Sequence, residues 1–266
     1  MLNARKRSSH KGDNGVVLVI GGSEDYIGAP ALVGLSALAV LRSGSDLVYV
    51  VAPERVAWAI NRISPDIITR KIKCKNFSVK NVKEVLKLAK AADVVEMGNG
   101  ISLESKEFML QIIKKVSKPL VIDAGALRVI RLQDVKNAVL LPHAKEFEAL
   151  LKNSKLTEKS VQEHLGSNVL VIKGHPNTII MSKNKTAVNT SGNAGMTHGG
   201  TGDVLAGIIT GLIAQGNDPF TSARIAAYVN GKAGELLYKK LGFGYLASDL
   251  VKTFPIILKK YQKIIK

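Results

Sequence analysis

The chain switches repeatedly between two hydrophobic rhythms, and that alternation limits its fold more than any other feature. Short β-branched runs are followed by longer stretches patterned for helices, as a parallel sheet with crossover helices requires. "GVVLVIGG" reads as a buried strand ending in two glycines, and "PALVGLSALAVLRSG" as a helix stopped by Gly44. "DLVYVVAP", "DIITRKI", "ADVVEMGNG", "PLVIDAG", "AVLLPH" and "NVLVIKG" read as further strands. Between them, "RVAWAINRI", "KNVKEVLKLAKA", "KEFMLQIIKKV", "AKEFEALLK" and "EKSVQEHL" read as helices. "NTIIMS" and "KTAVNTS" are expected to pair through the turn-like "KNK". From Asp203 onward the chain reads as helical: "DVLAGIITGLIAQG", "PFTSARIAAYVNGKAGELLYKKL" and "LASDLVKTFPIILKKYQKII". These units predict an α/β fold, a mostly parallel central sheet with helices covering both faces. No internal repeat or low-complexity linker divides the chain, so residues 1–266 are expected to form one domain.

In open sheets of this kind, ligands sit outside the carboxyl ends of the strands. The unusual residues fall there: Gly21-Gly22-Ser23, Gly98-Asn99-Gly100, Asp123, Pro142-His143 and Lys173-Gly174. A further stretch, "NAGMTHGGTGDVLAGIITGL", crowds Gly199, Gly200 and Gly202 before Asp203 and an apolar helical run. It lacks the Lys-Ser/Thr of a phosphate-binding P-loop, and "GGSEDYIG" lacks the dinucleotide glycine spacing. What "GGTGD" offers is a helix N-terminus whose bare N–H groups and dipole attract anions. Asp203 can then serve as a base for a hydroxyl while those donors stabilise a transferring phosphoryl group. Asp is also a favoured helix cap, and Asp203 can simply cap a helix starting at Val204. On the segment alone, both readings stand.

A formal charge of +17 raises the question of nucleic acid. The basic residues are scattered except in "NARKRSSHKG", "RKIKCK" and "LKKYQKIIK", and few aromatics accompany those clusters. A Lys-rich surface or an affinity for phosphorylated small molecules explains the charge as well, so no nucleic-acid partner is expected. The lone Cys74 cannot form an internal disulfide, which suits a reducing cytoplasm. No apolar h-region follows the basic N-terminus, and "APALVGLSALAVL" is too short to span a bilayer. A soluble, cytoplasmic protein without a membrane partner is expected.

"NTSGNAGMTHGGTGDVLAGIITGLIAQG" strongly resembles the signature of the ADP/ATP-dependent NAD(P)H-hydrate dehydratases, a branch of the ribokinase-like superfamily. The resemblance continues in order along the chain. It takes in "HKGDNGVVLVIGGSEDYIGAPALVGLSALAVLRSGSDLVYVVAP", "MGNGIS", "VIDAGAL", "LPHAKEFEAL", "VIKGHPNTII" and "YLASDL". It implies a ribokinase-like fold and an enzyme that repairs hydrated NADH or NADPH. ADP or ATP, with Mg²⁺, would phosphorylate the ring hydroxyl, and loss of phosphate would regenerate the reduced nucleotide.

Carried over by position, the resemblance makes Asp203 the general base, in contact with the hydrate. Gly200, Thr201 and Gly202 become the anion hole, with Gly202 touching the nucleotide. Lys173, Gly174, His175, Pro176 and Asn177 border the nucleotide, and Ala29, Gly100 and His143 the hydrated dinucleotide. By analogy with related kinases, Glu146 supports Mg²⁺. Each position except Asp203 also has a plain reading: His143 as a helix cap, Lys173 as a solvated strand end, Ala29 as helix packing. Gly100 can be a bare turn and Glu146 a surface acid.

The chain also departs from the family pattern. Asn99 stands where Pro is usual, Ser102 where Gly is common, and Ala194 replaces the Pro of "GNPGM". Gly125 replaces the second acid of "DAD", leaving Asp123 alone and putting any metal or substrate role of that second acid in doubt. Many relatives carry an N-terminal epimerase domain, for which this chain has no room, so epimerisation is expected to come from elsewhere or be absent. Relatives commonly assemble as tetramers or larger, implying a homo-oligomer, and prokaryotic members tend to prefer ADP. The competing reading is a ribokinase-like kinase for a vitamin precursor, which would keep the phosphate on its product. A non-catalytic, nucleic-acid-binding protein is the reading from another class.

Overall fold

The computed structural model describes residues 2–174 and 176–265. A two-residue strand, β1 (Arg5–Lys6), precedes the main sheet. That sheet is built from β2 (Val16–Ile20), β3 (Leu47–Pro53), β4 (Ile68–Ile72), β5 (Val94–Met97), β6 (Leu120–Ile122), β7 (Ala138–Leu140), β8 (Val169–Ile172), β9 (Thr178–Ser182) and β10 (Lys185–Asn189). The strand order is β10-β9-β8-β7-β6-β5-β2-β3-β4. Pairing is parallel from β4 through β8, and β9 and β10 add an antiparallel hairpin at the edge. The helices are α1 (Ala29–Arg42), α2 (Glu54–Asn61), α3 (Val82–Ala89), α4 (Lys106–Lys115), α5 (Ala144–Ser154), α6 (Thr201–Ala214), α7 (Pro219–Leu241) and α8 (Ala247–Leu258). None of the described helices is long and apolar enough to cross a membrane.

The period of two along each strand divides the core into two layers. On β2, Val17 and Val19 face a cluster built with α1, α2, α6, α7 and α8. Leu18 and Ile20 face the opposite cluster, built with α3, α4 and α5. Near-continuous Val/Ile/Leu runs are the expected outcome for strands covered on both sides. Cys74 packs against the second cluster, and burial pushes its thiol up to about 11.

Helices α1 and α6 approach closely because α6 turns glycines toward its neighbour. A Cβ on Gly207 would stand 2.8 Å from the Ala39 Cβ, and one on Gly211 would stand 2.8 Å from the Val40 carbonyl oxygen. We expect Gly207→Ala to lower stability by about 1–3 kcal/mol through overpacking. Urea unfolding followed by circular dichroism measures this, and an unchanged midpoint would show that the two helices can separate freely.

Three expectations are corrected. "EKSVQEHL" forms a single short turn, Gln162–His164, instead of an α-helix. Thr157 N–H donates to Ser160 Oγ and Ser160 N–H to Thr157 Oγ1 (3.0 and 3.3 Å), local bonds that compete with a helical ladder. The strand in "PLVIDAG" ends at Ile122, because Asp123 Oδ1 accepts from Ala124 N–H (2.7 Å) and starts the short helix Ala124–Arg128. The final helix stops at Leu258 and, after a short turn at Lys259–Tyr261, gives way to β11 (Ile264–Ile265). That strand pairs in parallel with β1, an interaction between chain ends that local periodicity does not register.

Candidate active site

The strand order reverses between β2 and β5, so the carboxyl ends of these two strands bound the crevice where an open α/β sheet binds its ligands. Two glycine turns meet there. Gly22 N–H donates to the Asn99 carbonyl (2.8 Å), and Gly98 and Gly100 adopt positive φ values of 126° and 67°. A Cβ on Gly100 would come within 3.2 Å of the Ala29 Cα, and Ala29 is buried in the first turn of α1. Two of the residues carried over as substrate contacts, Ala29 and Gly100, therefore pack directly on one another.

Helix α6 begins at Thr201, with Gly200 as its N-cap at φ 93°. Asp203 thus sits inside the first turn and does not cap it, so the helix-cap reading is set aside. The first turn is pinned by Thr201 Oγ1, which lies 2.7 Å from the Met196 carbonyl oxygen and 3.0 Å from that of His198. Gly200 is buried against Leu32, Leu35 and Ala247. A Cβ on Gly202 would lie 3.3 Å from Lys173 Nζ, so the ammonium stands directly over the helix N-terminus. Ammonium, dipole and bare N–H groups all favour an anion at this point.

Lys173 reaches this position from the end of β8, and its Nζ is 2.5 Å from Asp123 Oδ1 at the end of β6. Asp203 Oδ1 accepts from Asn99 Nδ2 (2.8 Å), at the end of β5. Four strand or helix ends thus bring together two carboxylates, one ammonium and one amide. Burial pushes the Asp203 carboxyl up to about 6, and the neighbouring Asp123 adds to the rise. Lys173 and the Asn99 hydrogen bond pull in the other direction. A carboxylate poised near neutrality inside a crevice is suited to take a proton from a hydroxyl.

A cleft of about 440 Å³ opens beside this cluster. His143, Lys173, Gly174, Pro176, Thr201 and Gly202 line it, all of them residues carried over by resemblance. Asn177 lies at the same turn, its carbonyl oxygen 2.7 Å from where a Gly174 Cβ would stand. His175 lies outside the described residues. His143 is also the N-cap of α5: its N–H donates to Glu146 Oε2 (3.0 Å), and Glu146 N–H reaches back to its Nδ1 (3.4 Å). The far wall, including Asn189, Asn193 and Asn230, was not foreseen. Asn193 Nδ2 and Asn230 Oδ1 are buried without partners, which leaves donor and acceptor capacity for a ligand. The sequence signal for this wall was the edge hairpin that directly follows the Lys-Gly strand end.

The Glu146 carboxylate is drawn into the α5 cap, with Oε1 3.3 Å from His143 Nε2. Among the described residues, no three His, Cys, Asp or Glu side chains converge as a metal-binding group. The described side chains therefore form no self-contained metal cage.

A cleft beside a glycine-capped helix carrying an aspartate, at the switch point of a mostly parallel sheet, places the chain in the ribokinase-like class of folds. A ribokinase-like protein of Enterococcus faecalis overlays with a TM-score of 0.83 over 98% of this chain and 93% of its own, at 27% identity. Within that class the chain belongs to the NAD(P)H-hydrate dehydratase family, whose model matches residues 17–256. It is 36% identical over 278 residues to an ADP-dependent (S)-NAD(P)H-hydrate dehydratase of Nitrosopumilus maritimus, covering 99% of this chain and 95% of that protein. It is 38% identical to a bifunctional NAD(P)H-hydrate repair enzyme of Methanothermobacter thermautotrophicus, covering 97% of this chain. The chain spans about half the length of that bifunctional relative, 52%. A Bacillus subtilis ADP/ATP-dependent NAD(P)H-hydrate dehydratase, co-crystallised with ATP/Mg²⁺, overlays with a TM-score of 0.79 at 25% identity, over 98% and 94% of the two chains.

Proposed function

We propose that the chain is an ADP-dependent dehydratase that repairs hydrated NADH and NADPH, using Asp203 as its base. The observation that carries this reading is the half-buried Asp203 carboxylate in the first turn of α6, with Lys173 Nζ over the same helix end. Asp203 takes the proton of the ring hydroxyl as the oxygen attacks the terminal phosphorus of the nucleotide, whose bond to the bridging oxygen breaks so that ADP leaves as AMP. The helix N–H groups and Lys173 hold the charge of the transferring group. Hydroxide leaves a ring poorly and phosphate leaves it well, so the ring nitrogen's electron pair then expels phosphate, and loss of a proton to water from the neighbouring ring carbon restores the double bond of the reduced nicotinamide. The cleft beside Gly174 and Pro176 takes the nucleotide, and the crevice at Ala29 and Gly100 takes the hydrate. Mg²⁺ is assigned to the nucleotide phosphates, whose charge it offsets, with no cage of protein ligands.

Hydrated NADH incubated with the protein and ADP or ATP is expected to recover near-ultraviolet absorbance and release inorganic phosphate. Recovery in neither case would overturn the reading. Phosphate retained on a vitamin-precursor alcohol would favour the small-molecule kinase instead. Because a base must be ionised to work, the acid limb of kcat/KM is expected near pH 6, the value to which Asp203 is pushed. Lys173→Met removes the cation that lowers Asp203. That limb is then expected to move upward by on the order of one pH unit, with a higher KM for nucleotide. A pH–rate series on both proteins measures it, and an unmoved limb would separate Lys173 from the base.

The naming of the Nitrosopumilus maritimus relative as ADP-dependent supports the choice of ADP. We further propose a single catalytic unit over residues 1–266, a cytoplasmic location and a homo-oligomer. Size-exclusion chromatography with light scattering tests the last of these.

A further inference from the structure

The turn at the end of β5 carries a side chain that the family pattern does not supply. Asn99 is 1% exposed, and its Nδ2 donates to Asp203 Oδ1 at 2.8 Å across a sequence separation of 104 residues. No other side chain among the described residues hydrogen-bonds to the Asp203 carboxylate. The amide's orientation is set by its neighbour: a carboxylate only accepts, so turning the amide over would set oxygen against oxygen. In this orientation Asn99 Oδ1 is buried with no donor. A buried acceptor left unsatisfied opposes stability, so this asparagine is costly to the fold. Proline, usual at this position in the family, would cost no backbone hydrogen bond, since among the described residues the Asn99 N–H makes none. The backbone carbonyl that holds Gly22 would be kept.

We propose that Asn99 is a positioning residue for the reaction, holding Asp203 by one oxygen in its ionised form and leaving the other for the substrate's proton. The proposal rests on the reading of Asp203 as the base. The charged groups around that carboxylate come from every element packed on it: Asp123 after β6, Lys173 after β8, and Glu96 within β5. Two carboxyl groups and one cation leave the site short of positive partners, and the amide supplies a donor without adding charge. In relatives with proline at this turn the donor is missing, so the acid limb of this chain is expected to lie lower for the same surroundings.

The test replaces Asn99 with Pro, Ala and Asp, and follows the Asp203 carboxyl carbon by ¹³C NMR in the unliganded protein alongside the pH–rate profile. Asn99→Pro and Asn99→Ala are expected to raise the Asp203 titration midpoint and the acid limb together by about one pH unit. Asn99→Asp, which sets a third carboxylate against the base, is expected to raise both further. KM for nucleotide should stay within about twofold, and at pH 4, where Asp203 is protonated in every variant, the melting temperature of Asn99→Pro should equal or exceed that of the parent. A purely structural asparagine predicts the reverse, a lower melting temperature with both midpoints unmoved, and that result would overturn the proposal. Failure of the parent protein to repair hydrated NADH, with the NMR midpoints still shifted, would refute the assigned reaction while leaving the Asn99–Asp203 coupling intact.

Discussion

Asp203→Asn is expected to fold and to bind ADP, and to lose about 10²–10⁴-fold in kcat. An amide cannot accept the hydroxyl proton, while its own Oδ1 still accepts from Asn99, so the local geometry persists. The same change should stabilise the protein. A carboxyl raised from 3.8 to about 6 on folding binds its proton more tightly in the native state. Its contribution is therefore intact below about pH 4 and is lost as pH rises through 6, a penalty of roughly 3 kcal/mol by neutral pH. Asparagine removes that penalty, so the variant should melt above the parent at pH 7 and approach it near pH 4. Burst-phase kinetics together with melting curves at the two pH values measure both effects. A variant that is neither slower nor more stable would remove Asp203 from the mechanism.

Glu96→Gln is expected to abolish most of the alkaline instability of the fold. Glu96 lies on β5, fully buried, and its alternation along the strand turns it toward α1 and α6. Ser36 Oγ donates to one carboxyl oxygen, and Thr210 Oγ1 lies 2.8 Å from the other. Thr210 Oγ1 is also 2.8 Å from the Ala206 carbonyl, which can only accept. If the threonine proton goes to Ala206, Glu96 must carry a proton of its own to complete the contact. Burial, opposed by these two hydroxyls and reinforced by Asp123 and Asp203, pushes Glu96 up to about 8. The folded state thus holds the proton far more tightly than an exposed glutamate, whose ordinary value is 4.5. Stability should be greatest below about pH 4.5, decline as pH rises, and carry the full penalty of roughly 5 kcal/mol above pH 8. Glutamine keeps an acceptor for Ser36 and offers Thr210 a permanent donor, so its stability should be nearly flat over that window. Urea unfolding at pH 5 and pH 9 decides: parallel losses in parent and variant would mean that Glu96 does not titrate.

Most of the sheet was readable because each strand obeys one rule, a short β-branched run ending in glycine or in a polar residue. Helix α7 matches its expected limits, Pro219 to Leu241, because it carries both end signals. Asp218 Oδ2 accepts from Thr221 N–H (2.8 Å), and Gly242 stops the helix at φ 59°. What escaped depends on contacts between distant residues. Glu96 looks like the exposed member of an alternating strand until α1 and α6 are known to cover it. Asn99 marks a departure from a family pattern, and nothing near it in sequence says that its partner lies 104 residues away. The Asn193 and Asn230 wall of the cleft is built by a loop and by α7, which only the closed fold sets facing the strand ends.

The pairing of β1 with β11 makes the chain a loop that is already shut. Arg5 lies opposite Ile264, and Arg5 NH2 is also 2.7 Å from Asp46 Oδ1, just before β3 begins. This clasp therefore sits by the amino ends of the strands, while the chemistry occupies the carboxyl ends. A covalent link across the Lys6–Ile265 pair would leave the folded molecule almost unchanged. In the unfolded chain it would forbid most separations of those two segments, worth about 6 kcal/mol in the chain-entropy description of a loop this long. A covalently locked clasp is thus a route to a hardier protein that touches none of the residues at the strands' carboxyl ends.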